Sequence, residues 1–382
     1  MSQTSFITIS KSALKTNIDF IQTLLGDTEF SAVVKGNAYG HGIEVYCPVM
    51  VELGVTHFSV FSVHEAMRLK AILPNHINIM IMGHIDLPSL EWVITNDISF
   101  FVFEKNRLKK SIDISKKVGK KAKVHIEIET GMNRTGFEME FVKNLIQYLE
   151  KHKTWIEVEG VCSHLAGAES ISNYKRIKKQ IKNFNLVKDR FVHKTDFKPK
   201  FHLACSAAAL QYPKTKLDLA RIGILQYGFF PSNEVLVQYL TKHNSQVNPL
   251  KRVISWRTEV MDINTVKPGE FVGYGTSYFT NAYTTIALIP VGYAHGFSRS
   301  LSNQGKVLIQ GKRFDVVGTV NMNMTAIDIA GCDDIKIGDE VVLIGMQGDL
   351  EISVASFGDF SNLLNYELLT RLPESIERKI IE

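Results

Sequence analysis

The sequence predicts an α/β chain, an eight-stranded β/α (TIM-like) barrel followed by a C-terminal mainly β domain. Three observations carry this. Through about the first two-thirds of the chain, short apolar runs alternate with helical patterns. Lys35, Arg134, His164, Ser206 and Arg221 fall at or just beyond the ends of those runs, and a barrel gathers strand ends into one mouth. From about residue 245 the rhythm changes to short strand-like segments punctuated by turns. A doubly wound open sheet shares the alternation, but no glycine-rich dinucleotide fingerprint occupies the first strand–helix junction. The expected domains are 10–240 for the barrel and 245–382 for the β domain, which an N-terminal strand within 1–9 joins.

Taken in order, residues 6–9 read as a strand, and Ser12-Ala13-Leu14 opens a helix that Gly26 stops. The eight barrel strands are expected at 30–34, 56–61, 77–82, 98–103, 124–128, 158–162, 202–205 and 220–225. Helices fall between them at 43–53 (despite Pro48), 63–73, 87–93, along the basic run from 105, at 137–149 and at 175–184. In the last third, 253–263, 284–291, 306–309, 314–320 and 340–344 suit strands. Turns such as Lys267-Pro268-Gly269 and Ile337-Gly338-Asp339 divide them.

Composition narrows the function classes. The 382 residues exceed the usual size of one core, and 45% hydrophobic with 22% charged residues describes a globular enzyme-sized chain. The net charge of +5 is small. The lysine-rich run 105–123 alternates with isoleucine and valine as a solvated helix face does, without aromatic interleaving, so no nucleic-acid partner is expected. Cys47, Cys162, Cys205 and Cys332 show neither metal-ligand spacing nor a disulfide framework, and no metal is expected. With no secretory signal and no membrane-spanning run, the expected home is cytoplasmic.

The stretch FSAVVKGNAYGHG, residues 30–42, organises the chain. A lysine ending an apolar strand holds its amine at the rim of a core, where burial or a neighbouring charge lowers its pKa and suits it to imine formation or proton transfer. A rim lysine that snorkels to water is the other reading of the strand. The glycines and Tyr39 favour a backbone folded closely around a ligand. Further along stand HIEIETGMNRTGF (125–137), CSHLAGAE (162–169), HLACSAA (202–208) and ARIGILQYG (220–228). The last third adds VGYGTSYF (272–279), PVGYAHGF (290–297), VGTVNMNMT (317–325) and NYELLTRLP (365–373).

Together these segments resemble the alanine racemases, a family built on pyridoxal 5'-phosphate, and the resemblance runs through most of the chain. It implies that Lys35 holds the cofactor as a Schiff base while Tyr39, Ser206 and Tyr366 contact its phosphate. Backbone N–H groups near Gly223 and Ile224 would cradle that phosphate at a helix start. Arg134 would bond the phenolic oxygen, and His202 would orient Arg221 toward the pyridine nitrogen. Tyr274 would be the second proton carrier, tuned by His164, with Tyr293 lining the substrate entrance and the Met322 N–H taking the substrate carboxylate.

The implied reaction interconverts L-alanine and D-alanine by two-base α-proton transfer on an external aldimine, supplying D-alanine for peptidoglycan. The implied assembly is a head-to-tail homodimer whose active sites are shared, Tyr274 reaching the partner's cofactor. Four positions depart from the family pattern. Glu127 stands where many members carry a carbamylated lysine, Cys205 where asparagine is common, His295 for an aspartate and Asn323 for an acidic residue. An ion pair between Glu127 and Arg134 is expected in place of the carbamate. These departures leave room for a racemase of other amino acids, such as serine or lysine. A pyridoxal-phosphate-dependent decarboxylase is the further alternative, against which Arg221 argues, since those enzymes generally pair the pyridine nitrogen with an acid.

Overall fold

The computed structural model describes residues 4–354 and 365–382, and the chain divides into two compact units. One comprises Ala13–Gly36 and Cys47–Lys251; the other comprises Met1–Ser12, Asn37–Tyr46 and Arg252–Glu382. The first strand, β1 (Ser5–Ser10), belongs to the second unit.

Eight parallel strands build the first unit: β2 (Glu29–Val33), β3 (His57–Val60), β4 (Asn78–Ile81), β5 (Ser99–Val102), β6 (Ala122–Glu127), β7 (Ile156–Cys162), β8 (Lys200–His202) and β9 (Leu219–Ile222). They run in the order β8-β7-β6-β5-β4-β3-β2-β9. The ring closes between β8 and β9 through Asp218 N–H to Phe201 O at 3.0 Å and Arg221 N–H to Ala204 O at 3.0 Å. A parallel bridge between Cys205 and Arg221 completes the closure. All eight expected strands are present, so the barrel-like plan stands.

Both faces of these strands are covered, so apolar residues such as Ala32, Phe58, Ile79, Phe100, Val124, Val161, Phe201 and Ala220 are buried. Ser31, His57, Ser59, His125, His202 and Arg221 alternate with them and are buried too, giving the barrel a polar interior layer. The connecting helices show the expected amphipathic spacing. Val142–Lys151 buries Val142, Leu145, Ile146 and Leu149, a stripe that repeats every three or four residues. Val63–Ile72 starts with a capping box in which Ser62 and Glu65 satisfy each other's backbone N–H groups. The basic helix Lys105–Val118 buries Leu108 and Ile112 and ends at Gly119, whose φ of +74° suits a helix stop.

Some boundaries differ from expectation. The helix expected from 137 begins at Val142, after a 3₁₀ turn at Met139–Phe141, because Phe137 is held in a strand-like bridge. Its N–H donates to Glu127 O at 2.8 Å, and it accepts from Glu129 N–H at 3.0 Å. The expected strand 202–205 ends at His202, since Ser206–Gln211 is already helical.

Among the described residues, the second unit is a ten-stranded sheet, mainly antiparallel, built from β1 with β10 (Ile254–Glu259), β11 (Asp262–Val266), β12 (Thr284–Ile289), β13 (Lys306–Ile309), β14 (Lys312–Val317), β15 (Thr325–Asp328), β16 (Glu340–Gln347), β17 (Leu350–Ile352) and β18 (Glu377–Ile381). β1 lies between β10 and β18, antiparallel to the former and parallel to the latter. The single strand expected over 253–263 is two, because Val260 N–H turns to Asp339 O at 2.9 Å and Met261 N–H to Leu288 O at 2.7 Å, changing neighbours. No helix among the described residues is long and apolar enough to cross a membrane.

Candidate active site

Lys35 follows directly on the apolar β2, whose ladder extends through Val34 N–H to Ser59 O at 2.9 Å. The chain then makes a turn of left-handed helix, with φ of +64° at Gly36, +56° at Asn37, +53° at Ala38, +50° at Tyr39 and +79° at Gly40. This conformation costs roughly 1–2 kcal/mol for each residue bearing a Cβ, with asparagine the most tolerant. Ala38 and Tyr39 therefore carry strain, as backbone beside a reactive group often does. Asn37 helps hold the turn, its side-chain oxygen accepting from Ile43 N–H at 3.0 Å and its carbonyl from Gly42 N–H at 2.9 Å. Arg378 donates to Gly40 O at 3.0 Å, and a Cβ on Gly40 would stand 1.9 Å from Leu369 O, so only glycine fits there. On the barrel side, Gly36 N–H donates to Glu65 Oε1 at 2.6 Å.

The Lys35 amine is held below the usual lysine pKa, first by burial and then by the Arg134 guanidinium, with Glu65 opposing. A larger share of the amine is consequently neutral and nucleophilic at a given pH. Arg134 sits on an exposed loop after β6, folded by Glu129, whose carboxylate accepts from the backbone N–H groups of Gly131 and Arg134. Burial works against ionisation of Glu129, but the backbone donors of residues 131–134 outweigh it and hold the carboxyl below its usual range.

The expected ion pair between Glu127 and Arg134 is not formed: among the described residues no Arg134 nitrogen lies within 4 Å of a Glu127 oxygen. Glu127 is buried at the end of β6, whereas Arg134 stands on the exposed loop. Burial therefore raises the Glu127 pKa, against opposing effects from Thr135, Arg221 and Arg134.

Arg221 is 5% exposed and lies within β9, near its end rather than beyond it. One terminal nitrogen donates to His202 Nδ1 and, at 3.1 Å, to His202 O; the other donates to Ser163 O at 2.7 Å. Three of the guanidinium's five N–H groups are thus used, and the remaining two meet no acceptor among the described residues. His164, on the loop after β7, has its pKa pushed down to about 3 by burial and then by Arg221, Arg134 and Lys35, so its ring is neutral. Ser206 opens a short helix and accepts from Gly223 N–H at 3.0 Å, which leaves its own hydroxyl proton free to donate. Gly223 N–H is thereby engaged, while Ile224 N–H opens a 3₁₀ turn with no intrahelical acceptor. Burial raises the Cys205 thiol pKa, which lowers its thiolate fraction and so its nucleophilicity.

Lys35, Arg134, His164, His202, Ser206, Arg221, Gly223 and Ile224 therefore gather at the C-terminal strand ends of the first unit. Tyr39, Tyr274, Tyr293 and Met322 belong to the second. Tyr274 is 77% exposed on a turn between Gly273 and Gly275, both at positive φ. The loop carrying Met322 is pinned by Tyr293 N–H to Asn321 O at 3.0 Å and Ala294 N–H to Met322 O at 2.9 Å, while Met322 N–H meets no acceptor among the described residues. His295 Nδ1 accepts from Gly292 N–H at 3.2 Å, a local turn contact. Tyr366 falls on the helix Asn365–Thr370, and its side chain lies outside the described residues.

Sequence reasoning missed Glu65, Ser163 and His125. Glu65 was open to detection, because Ser62-x-x-Glu65 has the spacing of a capping box. His125 alternates with Glu127 along its strand, and that alternation marks a shared face without naming a partner.

The chemistry of the set is clear. Three cations surround a neutral imidazole, and burial raises the pKa of the Glu127 carboxyl near Arg134 and Arg221. Two guanidinium donors and the Ser206 hydroxyl remain to be satisfied by a ligand. Such a site fits an anion with a phosphate and a ring acceptor, as pyridoxal phosphate has, next to an amine of lowered pKa.

Comparison with known proteins agrees. Residues 9–231 match the alanine racemase N-terminal domain, and residues 253–380 match the alanine racemase C-terminal domain. An alanine racemase of Leptospira interrogans is 31% identical over 384 residues, covering 99% of this chain and 96% of the relative. The solved alanine racemase of Clostridium difficile 630 superposes with a TM-score of 0.90 at 30% identity, over 100% of this chain and 96% of that one. That of Bartonella henselae, solved with covalently bound pyridoxal phosphate, gives a TM-score of 0.86 at 28% identity, with 100% of both chains covered. A barrel with a lysine at its mouth, a β-rich second unit and both family domains end to end identify this chain as a member of the alanine racemase family of pyridoxal-phosphate-dependent enzymes.

Proposed function

We propose that this chain interconverts L-alanine and D-alanine, with pyridoxal 5'-phosphate held at Lys35, and supplies D-alanine for peptidoglycan. The observation that carries the reading is the cationic set of Lys35, Arg134 and Arg221 around neutral His164, in a chain with both alanine racemase domains. When bound, the cofactor supplies an electron sink that acidifies the α-carbon of an attached amino acid.

The protein's own residues set the outcome. Racemisation needs proton carriers on two opposite faces of the α-carbon, because one base would have to change sides. Lys35 Nζ serves one face, its lowered pKa raising the share of neutral amine that can accept a proton. Tyr274 of the partner subunit serves the other in a shared-site homodimer. Its 77% exposure on one chain suits a residue that completes a neighbour's site.

Tyr39, Ser206, Ile224 and Tyr366 would hold the phosphate of a bound cofactor, and Gly223 positions the Ser206 hydroxyl through its N–H. Arg134 would meet the phenolic oxygen. The Met322 N–H takes the substrate carboxylate beside Tyr293. Arg221 would face the pyridine nitrogen of a bound cofactor as a donor that does not give up its proton. This restrains the electron sink and disfavours side reactions such as transamination.

A chiral assay of the cofactor-loaded enzyme with L-alanine, L-serine and L-lysine tests the reading, with Lys35→Ala and Tyr274→Phe as controls. D-alanine should form fastest, and each variant should lose at least about 100-fold, the scale of a removed acid–base group. Faster turnover of serine or lysine would reassign the substrate. Release of CO2 would reject the racemase reading.

A further inference from the structure

A line of donors crosses the barrel core from Arg221 to the opposite mouth. Arginine only donates, so the His202 Nδ1 that it meets is an acceptor and carries no proton. A neutral His202 then bears its proton on Nε2, 2.9 Å from His125 Nδ1, and donates there. His125 Nδ1 accepts, which places its own proton on Nε2. That buried Nε2 has no hydrogen-bond partner among the described residues, and Glu159 Oε2 stands 3.7 Å away, outside hydrogen-bond range but close enough to hold the proton electrostatically. An arginine that cannot accept at one end and a carboxylate that cannot donate at the other thereby favour the same pair of tautomers.

The surroundings are shaped to this line. Pairing between β6 and β7 slips register between Val124 and His125, a bulge of the kind that re-aims a side chain. Opposite His125 stands Gly160, where a Cβ would lie 2.1 Å from His125 Nδ1 and 2.8 Å from His202 Nε2. The rings meet edge-on at 4.9 Å, and Phe101 walls them, 6.1 Å and 5.9 Å from their centroids and 5.8 Å from the Arg221 guanidinium. Burial lowers the pKa of both histidines, which keeps both rings neutral. Glu159 lines a cavity of about 970 Å³ at the N-terminal strand ends, with His57, Lys123 and Lys200 also in its wall. Its side chain is 30% exposed, and Lys123 Nζ lies 3.6 Å from its other oxygen.

We propose that His125 and Glu159 are positioning residues for Arg221: a one-way donor line, anchored at the mouth opposite the active site, keeps His202 an acceptor and so holds the guanidinium against the cofactor's pyridine nitrogen. The last clause rests on the cofactor reading above; the tautomers do not.

The test is ¹⁵N NMR of the histidine-labelled full chain, without and with pyridoxal phosphate, alongside cofactor affinity followed by visible absorbance. Both His125 and His202 should show a single Nε2–H tautomer, with or without cofactor. His125→Leu removes the acceptor, so the His202 signature should change and cofactor affinity should fall roughly tenfold, the usual scale for a contact that orients a ligating group. His125→Gln offers an amide oxygen and should restore both. Glu159→Gln should move the His125 Nε2–H resonance and leave the His202 tautomer in place. A proton on Nδ1 of either wild-type ring overturns the proposal, as does a His125→Leu protein with wild-type His202 signals and cofactor affinity. A wild-type protein that binds no pyridoxal phosphate overturns the cofactor clause alone, and the tautomers then decide the rest.

Discussion

Glu65→Gln isolates what a buried carboxylate does beside the reactive lysine. Glu65 Oε1 accepts from Gly36 N–H at 2.6 Å, while Oε2 accepts from Phe61 N–H at 3.0 Å, Ser62 N–H at 3.1 Å and the Ser62 hydroxyl at 3.2 Å. A glutamine of equal size has one accepting oxygen. The less costly orientation keeps the three bonds to residues 61 and 62 and turns the amide NH2 against Gly36 N–H. One charge-assisted bond is lost, and a buried N–H is left facing another donor, a cost of about 2–3 kcal/mol. The Glu65 charge also raises the Lys35 pKa against burial and Arg134, so its removal should lower that pKa further. Urea unfolding of the cofactor-free proteins measures the first effect, and the pH dependence of amine acylation at Lys35 measures the second. A loss below about 0.5 kcal/mol, the scale of an ordinary surface change, refutes the hydrogen-bond argument. An unchanged or raised Lys35 pKa refutes the electrostatic one.

Two further outcomes follow from buried titratable groups. Burial pushes His57 down to about 3 and His41 to about 4, against roughly 6.5 in the unfolded chain. Protons then bind only the unfolded state, so the stabilising contribution is complete above pH 6.5 and falls away as pH drops toward those values. The loss is about 2 kcal/mol per histidine at pH 5. Urea midpoints at the two pH values should show this, with His57→Asn flattening part of the slope; equal midpoints would contradict it. Burial also raises the thiol pKa of Cys162 and Cys205, so alkylation of the native protein should modify the partly exposed Cys332 first. Mass spectrometry of the labelled peptides reads the order, and early modification of Cys162 would contradict it.

Much of the fold was legible because barrel strands and surface helices write their burial into local periodicity. All eight barrel strands fell where apolar runs met turn residues, and the amphipathic spacing around Leu145 and Leu149 marked its helix. Boundaries failed where a distant partner decided them. Phe137 delays its helix by bonding Glu127 and Glu129, and residues 260 and 261 split a strand by turning to Asp339 and Leu288. The break after Lys35 was announced by its glycines, yet nothing local to Ala38 or Tyr39 announces the positive φ they adopt.

The chemistry divides in the same way. Sequence by itself determined the residue types: a lysine at a strand end, an arginine that cannot yield its proton and a tyrosine between glycines, in segments resembling one enzyme family. Only the tertiary structure decided their states, because pKa and tautomer depend on neighbours far along the chain. Burial and Arg134 lower the Lys35 pKa, Glu127 lies too far from Arg134 to pair with it, and residues 125, 202 and 221 meet only when β6, β8 and β9 close into one ring. A side chain's identity is local, but the field and the hydrogen-bond partners that set its protonation belong to the folded barrel.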